Sequence, residues 1–183
     1  SNELAHVEGE LAKGNYIAVG EIGLDLYWDK STLAIQKKAF IRQIELAKKH
    51  NLPIVIHVRD SFSEAIEIIE SLNDKSLRGV FHCFTGSVED AHRVINLEGF
   101  YLGIGGVLTF KNSGLDNTIA TIDIQHLILE TDSPYLAPAP FRGKRNESKY
   151  LITIAQKLAE VHNISIEKVA EITTKNAKQL FDL

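Results

Sequence analysis

Apolar and polar residues alternate along this chain in two distinct rhythms. Five short runs are almost continuously apolar: residues 16–21 (YIAVGE), 53–58 (PIVIHV), 79–83 (GVFHC), 99–104 (GFYLGI) and 126–131 (HLILET, running on into Asp132). Runs of this length, rich in Val, Ile and aromatic residues, predict strands buried on both faces. Between them, apolar residues recur every three or four positions. Over 32–50, Leu33, Phe40, Ile44 and Ala47 share one stripe while Lys37, Lys38 and Lys48 lie off it, which predicts an amphipathic helix. Residues 63–72 predict a shorter one. Ser87 and Asp90 make a capping-box pattern ahead of a third helix, and Gly99 fits its stop. A weaker helical stretch covers 114–121. Beyond Asp132, Pro134, Pro138 and Pro140 mark a stiff loop, followed by helices near 147–162, 165–173 and 174–181.

Strand and helix in alternation, with apolar strands, predict an α/β fold: a parallel sheet covered by helices. Two architectures satisfy this, a doubly wound open sheet and a TIM-type (β/α) barrel. The glycine fingerprint of the first is missing. GIGG at 103–106 has too few spaced glycines, and no P-loop pattern occurs. A full barrel needs eight strands and about 250 residues, whereas 183 residues supply about five parallel strands. The sheet is therefore open, or the barrel lacks about three strands, and the complete-looking C-terminal helices place that deficit at the N-terminal side.

Composition narrows the classes of function. The chain is 44% hydrophobic and 24% charged, ordinary for one globular domain. Its net charge of −4 argues against gripping duplex DNA by bulk charge, so any nucleic-acid contact must be local. One cysteine, Cys83, allows no intrachain disulfide. No apolar run approaches the roughly 18 residues of a membrane span, and the start of the chain lacks signal-peptide regions. A cytoplasmic protein is the expectation.

The candidate chemistry lies where the strands end. The first apolar run ends at Glu21, the second at His57, the third at His82 and the fifth at Asp132. Parallel strands bring all such ends to one rim. Two-residue alternation would place Val19 with Glu21, Val55 with His57, and Val80 with His82 on one face. Two imidazoles and two carboxylates suit Zn²⁺, Mn²⁺ or Mg²⁺. One carboxylate can bridge two ions while the other takes a proton from an attacking water. Each residue alone has a plainer account: a satisfied strand-end His, Glu21 capping the next helix, Asp132 opening a turn into Ser133-Pro134. The conjunction of four on co-directional strand ends favours the metal site. His6, His50, His92, His126 and His162 read as structural or solvated. Cys83 reads as a small residue facing the packing helices rather than a nucleophile.

The stretches VGEIGLD, PIVIHVRD, FHCFTG, ETDSPYLAP, RGKRN and TKNAKQLF resemble the TatD family of metal-dependent deoxyribonucleases, from about residue 16 to the end. The resemblance implies a TIM-barrel hydrolase related to the amidohydrolases, with two divalent ions (Mg, Mn or Zn) at the strand ends. It implies that Glu21 bridges the ions and that His57 and His82 ligate one of them. Asp132 would ligate the other and orient the attacking water, so Glu21 and Asp132 are the expected catalytic pair. The implied substrate is nucleic acid: single-stranded DNA degraded from the 3′ end, with RNA and damaged DNA besides. The family's first strand carries a His-x-His pair, and no His-x-His occurs in these 183 residues. Residues 1–183 are thus expected to form a single domain, the C-terminal part of a barrel lacking its first three βα units, with a half-built site and little activity on its own.

For substrate contacts, Arg142 and Asn146 of the RGKRN stretch are expected at phosphate or at the metal loop. Lys144, Arg145 and Lys149 read as a solvated patch. Arg59, next to Asp60, is expected to orient the ligands or meet substrate. Tyr27 and Trp28 can stack on an unpaired base. Two competing functions stay open: an amidohydrolase acting on a small amide, lactone or ester, and an inactive fragment or scaffold. A glutamate rather than a carbamylated lysine at the bridging position, and the basic 142–149 loop, lean toward the nuclease.

Overall fold

The apolar runs become five strands and the periodic segments become the helices joining them in the computed structural model, which describes residues 2–183. In chain order the elements are α1 (Asn2–Leu11), β1 (Val19–Asp25), α2 (Leu33–Lys49), β2 (Ile54–Arg59), α3 (Phe62–Leu72) and β3 (Gly79–Phe81). They continue with α4 (Val88–Ile95), β4 (Phe100–Ile104), α5 (Leu115–Ile119), β5 (Leu127–Leu129), α6 (Leu151–His162) and α7 (Ile166–Phe181). Ser87 and Asp90 close the capping box that starts α4, their side chains and backbone N–H groups bonding reciprocally.

All pairings are parallel, and the strands lie side by side in chain order, β1-β2-β3-β4-β5. A doubly wound sheet would reverse that order at a switch point. The two faces are also unequal. On one, Leu24, Ile56, Phe81 and Leu102 of the strands interlock with Phe40, Ile66, Val94, Ile119 and Leu158 of the helices. On the other lie Val55, Val80, Tyr101 and Ile128, closed at one end by Leu180 and Phe181 of α7. An arc of sequential parallel strands with helices on its outer face is the wall of a (β/α) barrel, here an open five-stranded sheet.

Several boundaries differ from the sequence-based expectation. β1 starts at Val19 and runs on through Asp25, so it does not end at Glu21. Tyr16 and Ile17 stay outside the sheet and exposed. β5 is only Leu127–Leu129, because His126 belongs to a preceding 3₁₀ turn. The two expected C-terminal helices are one, α7: the Thr173 hydroxyl donates to the Val169 carbonyl (2.9 Å), so a residue that would otherwise favour a break is satisfied within the helix. Helix α1 was not expected; it places Leu11 in the core, and Glu8 meets Arg42 of α2.

Asn176, within the TKNAKQLF stretch, shows how α7 holds β5. Its buried amide donates to the carbonyls of Ile124 (3.1 Å) and Leu127 (2.8 Å), both at the start of the strand. Asn176→Ala would leave both carbonyls without that donor, so unfolding in urea should show a loss of about 1–3 kcal/mol at unchanged slope.

Candidate metal centre

The first ligand is presented by a bulge. Val19 pairs with Ile54 and Ile22 with Ile56, so Gly20 and Glu21 together oppose the single residue Val55. The extra residue breaks the two-residue alternation. Val19 packs with Ile22 and Leu24 into the helix-side core, and Glu21 does not share its face as simple alternation required. The bulge re-aims the Glu21 carboxylate toward β2 and β3, as bulges beside functional sites commonly do. Glu21 Oε2 comes to 3.6 Å from His82 Nε2.

His57 and His82 stand on the inner face of β2 and just past the end of β3, with ring centroids 6.0 Å apart. Gly23 lets β1 approach this point: a Cβ there would lie 1.9 Å from the His57 carbonyl oxygen. Each imidazole is braced by a carboxylate. Asp25 Oδ2 lies 3.1 Å from His57 Nε2. Burial alone would raise the Asp25 pKa, but the Tyr27 N–H, the His57 hydrogen bond and the Arg59 charge hold it below its usual range. Glu130 Oε1 lies 3.2 Å from His82 Nδ1 and also accepts the Cys83 N–H at 2.8 Å.

Glu130 is passed over by the strand-end pattern, which singles out Asp132. Its signal is the alternation in Glu130-Thr131-Asp132, which puts two acids on one side of an extended chain. To reach β3 from β5 its side chain must cross β4, and it crosses over Gly103. A Cβ at that position would sit 2.6 Å from Glu130 Oε2 and 3.1 Å from the His82 Cα. Gly103 is therefore a passage for a carboxylate rather than part of a nucleotide fingerprint. Burial would lower the His82 pKa, but the Glu130 hydrogen bond and the charges of Glu130, Glu21 and Asp132 outweigh it and hold the imidazole above its ordinary value. Cys83 is half-buried in a cavity of about 360 Å³ with Phe62 and Phe84. Burial, then Glu130, Asp132 and Glu21, push its thiol up to about 12, so it is inert as a nucleophile near neutral pH.

One ligand atom from each of Glu21, His57 and His82 lies within 4.8 Å of the others. The donor set fits a divalent ion: ligand atoms about 2.1 Å from one tetrahedral centre stand roughly 3.4 Å apart, close to the 3.6 Å between Glu21 and His82. Asp132 stands outside this trio, past the end of β5, with its backbone in the left-handed region (φ 55°). Burial raises the Asp132 pKa; Glu130 and Glu21 add to the rise while His82 and His57 oppose it.

The other expected site residues take different positions. Of the two contacts expected for Asn146, phosphate is corrected and the metal loop is what the residue meets: it is 2% exposed and turned to backbone rather than to a substrate. Its amide donates to the carbonyls of Thr131 and Tyr135 (2.6 Å each), and its oxygen accepts the Glu147 N–H at 2.9 Å. It fastens the loop that carries Asp132. Arg142 is exposed, with its guanidinium 3.7 Å from the Phe110 ring centroid. Arg59 makes no ion pair with Asp60 among the described residues; it lies 3.6 Å over the Tyr27 ring. The carboxylates that brace the histidines are Asp25 and Glu130, and local sequence pairing pointed to the wrong acid. Lys149 pairs with Glu147 at 2.9 Å, while Lys144 and Arg145 are exposed.

A parallel barrel wall with imidazoles and carboxylates gathered at the C-terminal rim of its strands is the architecture of a metal-dependent hydrolase. Comparison with known proteins makes this specific. The family model described as TatD related DNase matches residues 1–182, and the chain belongs to the TatD family of metal-dependent hydrolases. It is 44% identical to the uncharacterized metal-dependent hydrolase YabD of Bacillus subtilis (strain 168) over 98% of the chain and 70% of that protein. It is 35% identical to the uncharacterized metal-dependent hydrolase YcfH of Escherichia coli (strain K12) over 94% of the chain and 65% of that protein. The crystal structure of YJJV, a TatD homolog from Escherichia coli K12, superposes with a TM-score of 0.92 at 29% identity, covering 98% of this chain and 70% of that one. The chain thus spans about two thirds of the length of these relatives.

Glu130→Gln keeps an acceptor for the Cys83 N–H but removes the charge behind His82. Calorimetry with Mn²⁺ or Zn²⁺ should show affinity reduced about 10–100-fold with the fold intact. Gly103→Ala should reproduce much of that loss by displacing the carboxylate. The pH dependence follows from the raised His82 pKa. Its pairing with Glu130 stabilises the metal-free protein fully below the ordinary imidazole value of 6.5, and that contribution fades as pH rises through the raised value. Divalent binding must displace the same proton, so affinity should climb over the same interval. Melting curves and metal titrations at stepped pH should show these opposite trends, and Glu130→Gln should flatten the first.

Proposed function

We propose that the protein is a divalent-metal-dependent phosphodiesterase acting on single-stranded nucleic acid, DNA foremost and RNA besides, trimming from the 3′ end. The observation that carries the proposal is the convergence of Glu21, His57 and His82 on one point of the barrel rim. Glu21, His57 and His82 would hold an ion there, and Asp132 is proposed as a ligand of a second. Bound divalent ions supply Lewis acidity toward a phosphoryl oxygen and lower the pKa of water. The chain's own residues do the remainder. Asp132, its pKa raised by burial, takes the proton of the attacking water as general base. Asp25 and Glu130 keep the two imidazoles aimed, and Asn146 holds the Asp132 loop in register. Arg142, exposed with its guanidinium on Phe110, is the proposed donor to phosphate. The family description, TatD related DNase, supports nucleic acid as the substrate class.

The working unit in this proposal is a whole barrel to which residues 1–183 contribute the fourth to eighth strands. The open sheet and the exposed Tyr16 and Ile17 beside β1 support it, as an uncovered edge is an aggregation hazard. Protein isolated at its natural length should weigh about 8 kDa more than these 183 residues, roughly three βα units. No helix among the described residues is long and apolar enough to cross a membrane.

The test uses that natural-length protein with a 5′-labelled single-stranded oligonucleotide and added Mg²⁺, Mn²⁺ or Zn²⁺. Products shortened from the 3′ end are expected, with rates falling as salt rises because phosphate contacts release counterions. Asp132→Asn should cost about 10²–10⁴-fold in turnover while metal affinity changes far less than in Glu21→Gln. Hydrolysis of small amides, lactones or esters with no cleavage of oligonucleotide would overturn the proposal in favour of amidohydrolase chemistry.

A further inference from the structure

β1 leaves the candidate metal centre through Asp25 and leads directly to two exposed aromatic rings. Trp28 is 81% exposed and Tyr27 51%. Their rings meet edge to face, 4.8 Å between centroids and 88° between planes. The Arg59 guanidinium stands 3.6 Å from the Tyr27 centroid and 5.9 Å from that of Trp28. Trp28 buries little against the chain, and Tyr27 keeps half of its surface open. Arg59 forms no direct ion pair among the described residues; its charge acts on Asp25 only at a distance.

We propose that Tyr27, Trp28 and Arg59 form a base-stacking subsite that holds one unpaired nucleotide of single-stranded nucleic acid beside the metal centre. The proposal rests on the phosphodiesterase reading and adds where the strand is gripped. Position supports it. The Tyr27 N–H donates to Asp25 Oδ1 at 3.0 Å, and the other oxygen of Asp25 is 3.1 Å from His57. Two hydrogen bonds thus separate the platform from a candidate ligand. Arg59 follows His57 by two residues on β2, roughly 6–7 Å along the strand, and pairs in register with Asp25.

The chemistry suits a nucleotide better than a protein surface. An open indole face accepts any base, since every base has a π-face, and stacking requires that base to be unpaired. Arginine with one face on a ring keeps its N–H edge for a phosphate oxygen. Two rings are too small a patch for a stable protein interface. The net charge of −4 requires any nucleic-acid contact to be local, and this one is.

Trp28 is the only tryptophan, so its fluorescence reports the subsite directly. The protein is titrated with an oligothymidylate of about ten nucleotides in EDTA, where hydrolysis cannot occur. Saturable quenching is expected, weakening with salt, with little quenching by a duplex of similar length. By anisotropy of a labelled oligonucleotide, Tyr27→Ala, Trp28→Ala and Arg59→Gln should each bind about tenfold more weakly, with Trp28→Phe close to wild type. Unfolding midpoints should be unchanged, as these side chains are exposed. Absence of quenching, or Trp28→Ala binding as wild type, overturns the subsite. Oligonucleotide hydrolysis with an unaltered KM in Trp28→Ala also overturns it while leaving the phosphodiesterase reading intact. Stacking without hydrolysis by the natural-length protein removes that reading and leaves the platform standing.

Discussion

Parallel strands cannot be joined by a tight turn, so each strand here must be followed by a crossover that returns the chain to the same starting edge. The crossovers carry helices α2 to α5, and their apolar stripes all settle on one face of the sheet. Much else follows from this. The opposite face is left to Val55, Val80, Tyr101 and Ile128, and every strand delivers its C-terminal end to one rim. The loops that lead from that rim into the helices can carry chemistry, while the other end is tied down by α7.

At the rim, charge rather than apolar packing sets the geometry. Glu21, Asp25, Glu130 and Asp132 surround two imidazoles; burial first and then the neighbouring carboxylates raise the Asp132 pKa, while Glu130, Glu21 and Asp132 raise that of His82 against its burial. The braces matter as much as the ligands: Glu130 passes over Gly103 to hold His82 and the Cys83 N–H, and Asp25 joins His57 to the Tyr27 loop. Losing a brace changes where a ligand points without removing it.

Two buried asparagines account for stretches whose chemistry was obscure in the sequence. Asn176 fastens the entrance of β5 and Asn146 its exit, each by donating to two backbone carbonyls. A strand of only three residues, Leu127–Leu129, gains through them the fixed position that its short ladder cannot supply. The acid that follows, Asp132, inherits that fixity.

The five apolar runs, the capped helix α4 and the ligand types at strand ends were legible in the sequence, because burial on two faces and helical periodicity are local patterns. The convergence of His57 and His82 was also legible, since parallel direction and two-residue alternation suffice for it. The presentation of Glu21 was not: it depends on a bulge, which arises from pairing with β2 and leaves no mark in the composition of β1 alone. Nor was the Glu130–His82 bond, which joins residues 48 positions apart across an intervening strand. For Asn146 the sequence left phosphate and the metal loop open, and burial decided for the loop. Local pattern determined the elements and the kinds of side chain at the rim. Contacts between segments distant in sequence decided which of those side chains touch.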